Sequence, residues 1–110
     1  MPLKAGFIIM TPDADPSRDR NTIKTSSLEL TTVAVSLFDF DKAVQICREL
    51  TLKEGVQALI LCAFFSNKEV GRVAEAVGDM VPVFVARGDV PSAIAMAAVY
   101  AKEGWFLDKH

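Results

Sequence analysis

The fold class is decided by residues 56–86, which read VQALILCAFFSNKEVGRVAEAVGDMVPVFVA. Two short apolar runs, 56–63 and 81–86, have the composition of strands that are covered on both faces. Between them, Ser66 and Glu69 stand at the spacing of a capping box, and the helix that they begin carries an apolar stripe and stops at a glycine. A strand, an amphipathic helix and a second strand predict a right-handed crossover between parallel strands.

The same alternation continues toward the N-terminus. Residues 3–10 form a continuous apolar run that predicts a central strand, and residues 28–37 predict a strand nearer the edge of the sheet. Asp39 or Asp41 then begins a helix that stops at Gly55. Strands that alternate with amphipathic helices indicate the α/β class.

These elements predict a single α/β domain over residues 1–110, with three layers and a four-stranded, mainly parallel sheet. The element order is β-loop-β-α-β-α-β-α, and we expect the strands to lie in the order 2-1-3-4. Residues 11–27 are rich in Asp, Pro, Ser, Arg and Thr, so we expect a long polar loop between the first two strands. The last helix, over residues 91–103, begins after Asp89 and Pro91.

Composition excludes several classes of protein. The chain has 12 basic and 14 acidic residues and no cluster of basic side chains, so nucleic acid is not an expected partner. No apolar stretch reaches the roughly 18 residues of a membrane span. Cys47 and Cys62 lie in apolar runs and His110 is the one histidine, so we predict no metal site, no cofactor and reduced thiols in the cytoplasm.

Two sequence patterns connect the chain to known proteins. One is Lys4-Ala5-Gly6-Phe7-Ile8 followed by Thr11-Pro12-Asp13-Ala14-Asp15-Pro16, and the other is Glu54-Gly55-Val56-Gln57-Ala58 followed by VGRVAEAVG over residues 70–78. Together they resemble a small prokaryotic α/β protein family that carries only a domain-of-unknown-function label. The resemblance covers most of residues 3–87 and implies a shared fold, and it supplies no activity.

Polar residues follow the ends of the predicted strands. In an open parallel sheet, ligands bind outside the carboxyl ends of the strands, and the N-termini of the helices that follow favour anions. We therefore expect a small anionic metabolite to bind at this edge. The candidate ligand-binding residues are Thr11, Asp13, Cys62, Ser66, Asn67, Arg87 and Asp89. The alternative is that Ser66 and Asp89 only cap their helices and that Arg87 only pairs with Asp89.

A nucleophile is a second candidate at the same edge. Cys62 ends a buried strand close to the start of a helix, whose dipole can lower the pKa of a thiol. Asp13 and Asp15, in the polar loop, are candidates for an acid and base pair that acts with it. The alternatives are that Cys62 is a small buried apolar residue and that both aspartates form solvated turns.

The helix over residues 91–103 is apolar on all sides and therefore needs cover on both sides. One side can pack on the sheet, whereas the other needs Trp105 and Phe106 or a second subunit, and we expect a homo-oligomer built through this helix. The leading hypothesis is a self-associating domain that binds a small anionic metabolite. The alternatives are a small enzyme that uses Cys62 with the loop carboxylates and a structural accessory subunit.

Overall fold

The computed structural model describes residues 1–107. Strands and helices alternate along most of this part of the chain, as the sequence predicts for the α/β class. The elements are β1 (Leu3–Thr11), β2 (Arg20–Lys24), β3 (Leu28–Ser36), α1 (Phe40–Leu52), β4 (Ala58–Leu61), α2 (Asn67–Val77), β5 (Val83–Val85) and α3 (Val90–Lys102).

The sheet has five strands in the order β2-β3-β1-β4-β5. β3, β1, β4 and β5 are parallel and are the four strands that the sequence predicts, whereas β2 pairs antiparallel with β3 at one edge. The prediction of four strands is therefore wrong by one, and the polar loop expected over residues 11–27 ends where β2 begins. Every residue of β2 is exposed, and its sequence, RNTIK, lacks the apolar alternation by which a strand is recognised.

One face of the sheet, which we call the covered face, packs against α1 and α2. The two helices contact each other, α1 contacts β3 and β1, and α2 contacts β5. Side chains at alternate strand positions form a single apolar core with the buried stripe of α1. The core side chains of the strands are Ile8, Met10, Val33, Val35, Leu59 and Leu61.

The opposite face, which we call the open face, carries the strand residues of the other parity. Phe7 lies beside Thr32 of β3 and Ile60 of β4, and Ile60 lies beside Phe84 of β5. No helix of residues 1–107 packs extensively on this face, because α3 makes no extensive contact with any strand and buries none of its own residues. The prediction of three layers is therefore wrong, and the described chain has two.

The predicted helix starts agree with the structure. Asp39, Ser66 and Asp89 cap α1, α2 and α3, and the capping box of Ser66 with Glu69 is complete. The last helix begins and ends one residue earlier than the predicted span of 91–103. No helix within the described residues is both long enough and apolar enough to cross a bilayer.

Candidate functional site

The carboxyl ends of β1, β3, β4 and β5 lie along one edge of the sheet, because these four strands are parallel. This edge holds all seven candidate ligand-binding residues, at the ends of the strands or in the segments that follow them. Which of these side chains can bind a ligand depends on the hydrogen bonds that each already makes within the chain.

The ends of β1 and β3 are closed by local hydrogen bonds. The Thr11 hydroxyl lies 3.5 Å from the Oδ1 of Asp13, and the Ser36 hydroxyl donates to the carbonyl of Pro12 at 3.3 Å. The backbone N–H of Leu37 donates to the carbonyl of Thr11 at 3.0 Å. Thr11 and Asp13 thus form part of the turn that leaves the sheet.

Asp15 stabilises the turn that leads to β2. Its Oδ1 accepts hydrogen bonds from the hydroxyl and the backbone N–H of Ser17, at 2.7 and 3.0 Å, and these bonds lower the pKa of the Asp15 carboxyl. The neighbouring Asp19 accepts from the Arg18 guanidinium, which lowers the pKa of Asp19 to about 2. Asp13 and Asp15 accept hydrogen bonds from different residues, Thr11 and Ser17, and no hydrogen bond joins the two carboxylates.

Cys62 follows the last residue of β4 and is half-buried against the core. Its backbone N–H donates to Ile8 at 3.0 Å, and its carbonyl accepts from Phe65 at 3.2 Å. No hydrogen bond within residues 1–107 links its thiol to Asp13 or Asp15. His110 lies outside the described residues.

The N-termini of the helices already hold carboxylates of the same chain. The Oδ1 of Asp39 accepts from the N–H of Lys42 at 3.1 Å, and the Oδ1 of Asp89 accepts from the N–H of Ser92 at 2.8 Å. At α2, Glu69 accepts from the N–H of Ser66 at 2.9 Å. The bonds from Ser92 lower the pKa of Asp89, so this carboxylate stays ionised. The helix dipoles are thus satisfied internally, and they offer less to an external anion than the sequence suggests.

Arg87 connects the end of β5 to the start of α2. Its guanidinium donates to the carbonyl of Ala63 and to the Oδ1 of Asn67, both at 3.0 Å. No carboxylate among the described residues forms an ion pair with it, and in particular Asp89 does not. Arg87 therefore places a guanidinium that forms no ion pair with the described residues at the edge of the sheet.

A cavity of about 430 Å³, which we call the aromatic cavity, lies between α3 and the segment that follows β4. Its lining includes Ala63, Phe64, Gly88, Met96, Tyr100 and Phe106, together with Ser92, Ala93 and Ala97 of α3. The Phe64 ring lies 4.7 Å from the Tyr100 ring and stacks on Trp105 at 5.8 Å. Arg87 donates to the carbonyl of Ala63 and directly precedes Gly88, and both of these residues line the cavity. The positive charge of Arg87 therefore lies at the rim of the cavity.

The sequence contains part of the signal for this cavity. Trp105 folds back onto α3, as considered for it, because Gly104 adopts a φ of 75° and the Trp105 N–H donates to the carbonyl of Tyr100 at 2.9 Å. Phe64 is not among the candidate residues, since an aromatic residue after a strand is ordinarily part of the core. Phe65 beside it is fully buried, and only the structure separates the roles of the two rings.

Comparison with known proteins gives one match. A family model described as "Family of unknown function (DUF6506)" matches residues 3–101. The match extends beyond the resemblance over residues 3–87 and includes nearly all of α3. No curated protein and no solved structure matches the chain.

Proposed function

Because the chain belongs to DUF6506, a family of unknown function, its role must be inferred from its own residues, and we propose that it binds a small ligand in the aromatic cavity. The ligand has a flat apolar body and one acidic group, and the domain that binds it self-associates. The observation that carries the proposal is the aromatic cavity itself, with Arg87 at its rim.

The size and lining of the cavity support this ligand class. Ligand pockets are commonly about 300–1,000 Å³, mostly apolar, and have few polar groups, and a cavity of about 430 Å³ walled by Phe64, Tyr100 and Phe106 falls in that range. Aromatic rings pack favourably against other flat rings in offset or tilted geometry. The Tyr100 hydroxyl makes no hydrogen bond to the described residues, so it is free to bond to a polar atom of the ligand.

The charges around the cavity favour an acidic group at the Arg87 end. Arg87 carries no ion pair with the described residues, and its guanidinium is held in place by Ala63 and Asn67. A fixed guanidinium is a good partner for a carboxylate, sulfonate or phosphate. Asp89 stays ionised on the α3 side and repels an anion there, so the acidic group lies toward Arg87.

Two naphthalene probes test the proposal. 1-Anilinonaphthalene-8-sulfonate has two aromatic groups and one anionic group, and N-phenyl-1-naphthylamine is its uncharged analogue. We expect saturable fluorescence enhancement with both probes, and we expect Ala97→Trp to abolish it, because Ala97 lines the cavity and an indole fills it. Binding that survives Ala97→Trp unchanged would place the probes elsewhere and would overturn the proposal.

The acidic group is tested separately. Arg87→Gln should weaken binding of the sulfonate probe by roughly ten- to a hundredfold and leave the uncharged probe unaffected, because a charge-assisted hydrogen bond contributes about 1.5–3 kcal/mol. Arg87→Lys should keep most of the affinity. Arg48→Gln is the matched control, since Arg48 is an exposed arginine on α1 that does not line the aromatic cavity. Equal affinity of the sulfonate probe for wild type and Arg87→Gln would remove the acidic group from the proposal.

A further inference from the structure

None of the strands places a charged side chain on the open face of the sheet. The charged residues of the strands, which are Lys4, Arg20, Lys24 and Glu29, all belong to the parity of the covered face. Three ion pairs hold them near α1 and the sheet edge, between Lys4 and Glu29, Lys24 and Glu29, and Arg20 and Glu54. Charged side chains favour contact with water, so a face that was exposed in a monomer would be expected to carry some of them.

The open face is also apolar. Its larger side chains are Phe7, Ile9, Ile23, Leu30, Ile60 and Phe84. Ile23 is 57% exposed and Phe84 is 60% exposed, on the two edge strands, and the same face carries the polar side chains of Asn21 and Thr32. Parallel sheets are ordinarily covered on both faces, and large apolar patches mark interaction surfaces.

α3 has an apolar side that nothing in residues 1–107 covers. Its Ala93, Met96 and Tyr100 side lines the aromatic cavity, whereas Ile94 and Ala98, which are one turn apart, lie on a side that faces away from the cavity. Ile94 is 70% exposed, and Ala98 is exposed as well. This chain thus has an uncovered sheet face and an uncovered helix side.

We infer that α3 of a second copy of this chain packs on the open face, and that the arrangement is reciprocal, so that two copies form a twofold dimer. This inference rests on the self-association in the proposed function and specifies which surfaces meet. A helix is the element that ordinarily covers a parallel sheet. The chain's own α3 is held at the carboxyl edge by the contact of Tyr100 with Phe64, which leaves the open face to the helix of another copy.

The dimensions of the two surfaces agree. A helix of 13 residues is about 20 Å long at 1.5 Å per residue, and strands of nine residues are about 30 Å long at 3.3 Å per residue. The helix therefore fits within the length of β1 and β3. The open face and the uncovered side of α3 together offer roughly twenty residues per subunit, close to the 20–30 per side of a standard stable interface.

The test measures mass by sedimentation and light scattering on the full chain. We expect a dimer for the wild type at tens of micromolar. Ile94→Glu on α3 and Ile60→Lys on the open face should each weaken dimerisation by at least about a hundredfold, because each buries a charge at the centre of the interface. Met80→Glu is the matched control and should leave the dimer intact, because Met80 is 91% exposed and lies on neither surface.

Mixing the two defective variants sharpens the test. The inferred dimer has two contacts between α3 of one copy and the open face of the other. In a dimer of Ile94→Glu with Ile60→Lys, one contact is unaltered, and the other brings the introduced carboxylate and the introduced ammonium group together as an ion pair. The mixture should therefore dimerise although each variant alone is monomeric. Interfaces between two α3 helices or between two open faces would each leave one of the variants dimeric. Either result would overturn the inference.

The possible outcomes separate this inference from the proposed function. A wild type that is monomeric at 100 µM overturns the self-association and the inference together. It does not affect ligand binding in the aromatic cavity, which the fluorescent probes test separately. A dimer that persists in Ile60→Lys overturns the inference alone. Far-ultraviolet circular dichroism that matches the wild type shows that each variant is folded, so loss of the dimer reports on the interface.

Discussion

Ile8 and Ile9 are neighbours in β1, yet they lie on opposite faces of the sheet. Ile8 is fully buried under the helices, whereas Ile9 is half-buried on the open face. The difference between the two faces is the presence of α1 and α2, because the strands supply apolar side chains to both. The comparison shows that an apolar strand predicts the need for cover on both faces and does not predict which chain supplies it.

The two helices that flank β5 differ in the same way. α2 and α3 both begin at a side-chain cap, but α2 has an apolar stripe on an otherwise polar surface, and α3 is apolar on most sides. Val73 of α2 is fully buried, while no residue of α3 is buried. A stripe specifies one partner surface within the domain, and a helix without a stripe leaves a second surface for another molecule.

The largest effect that we expect separates the two isoleucines. Ile8→Ala should lower the free energy of unfolding by about 2–5 kcal/mol, because it creates a cavity in a packed core. Ile9→Ala should cost about 1 kcal/mol or less at a protein concentration below that of dimer formation. Urea denaturation at low micromolar concentration measures both values.

Concentration provides the internal control for this pair. The cost of Ile9→Ala should increase with protein concentration, because the open face is covered in the dimer, whereas the cost of Ile8→Ala should change much less. If Ile8→Ala and Ile9→Ala lowered the free energy of unfolding equally at the lowest concentration, the open face would have to be covered in the monomer, contrary to the structure.

The cysteines provide a chemical test of the same two environments. Cys47 lies in the core on α1, where burial raises the pKa of its thiol to about 12, so at pH 8 only about one molecule in ten thousand carries the thiolate. Cys62 is half-buried. Iodoacetamide should therefore modify Cys62 at least roughly a hundredfold faster than Cys47 in the native protein. Peptide mass spectrometry follows the two sites, and labelling in urea should remove the difference.

The same experiment bears on the alternative that the protein is an enzyme. If Cys62 reacts faster than an unfolded reference thiol, a nucleophilic role for Cys62 gains support over ligand binding alone. If Cys47 reacts as fast as Cys62, α1 separates from the sheet in the native state, and the contrast between the covered and open faces fails.

The smallest effect distinguishes the caps of the two helices. Ser66→Ala should lower the free energy of global unfolding by about 1 kcal/mol, because α2 is part of the core. Asp89→Ala removes a similar cap, but it should lower the hydrogen-exchange protection of α3 and change global unfolding of the monomer by less than about 0.5 kcal/mol, because α3 is not docked on the sheet. Native-state hydrogen exchange measures both.

Cap-preserving substitutions serve as controls for this pair. Ser66→Asp and Asp89→Ser each keep an oxygen that accepts from the backbone of the first turn, so both should behave nearly as the wild type. A loss of global stability in Asp89→Ala as large as that in Ser66→Ala would mean that α3 is already docked within its own monomer.

Much of the fold can be predicted from local pattern. The four parallel strands, the three helix starts and the βαβ unit around α2 follow from apolar periodicity and capping residues, whereas the order of the strands depends on their pairing. β2 could not be predicted in the same way, because its pairing with β3 depends on the backbone and on a turn at residues 25–28, and its side chains are polar and exposed.

The candidate site could be predicted only in position. The edge of the sheet follows from the parallel order of strands, and all seven candidate residues lie at it. Their hydrogen bonds could not be foreseen, since Arg87 binds Ala63 and Asn67, which are 24 and 20 residues away in sequence. The aromatic cavity likewise depends on Phe64 meeting Tyr100 and Trp105, which only folding brings together.

The amino-acid sequence by itself determined the class of fold, the central strand, the caps and the apolar character of the last helix, because each of these depends on the chemistry of neighbouring residues. The tertiary structure alone decided that α1 and α2 occupy one face, that α3 stands away from the sheet and that Arg87 stands beside a cavity. Those features depend on contacts between residues far apart in the chain, where packing and the exclusion of water from apolar side chains select among the arrangements that the local pattern permits.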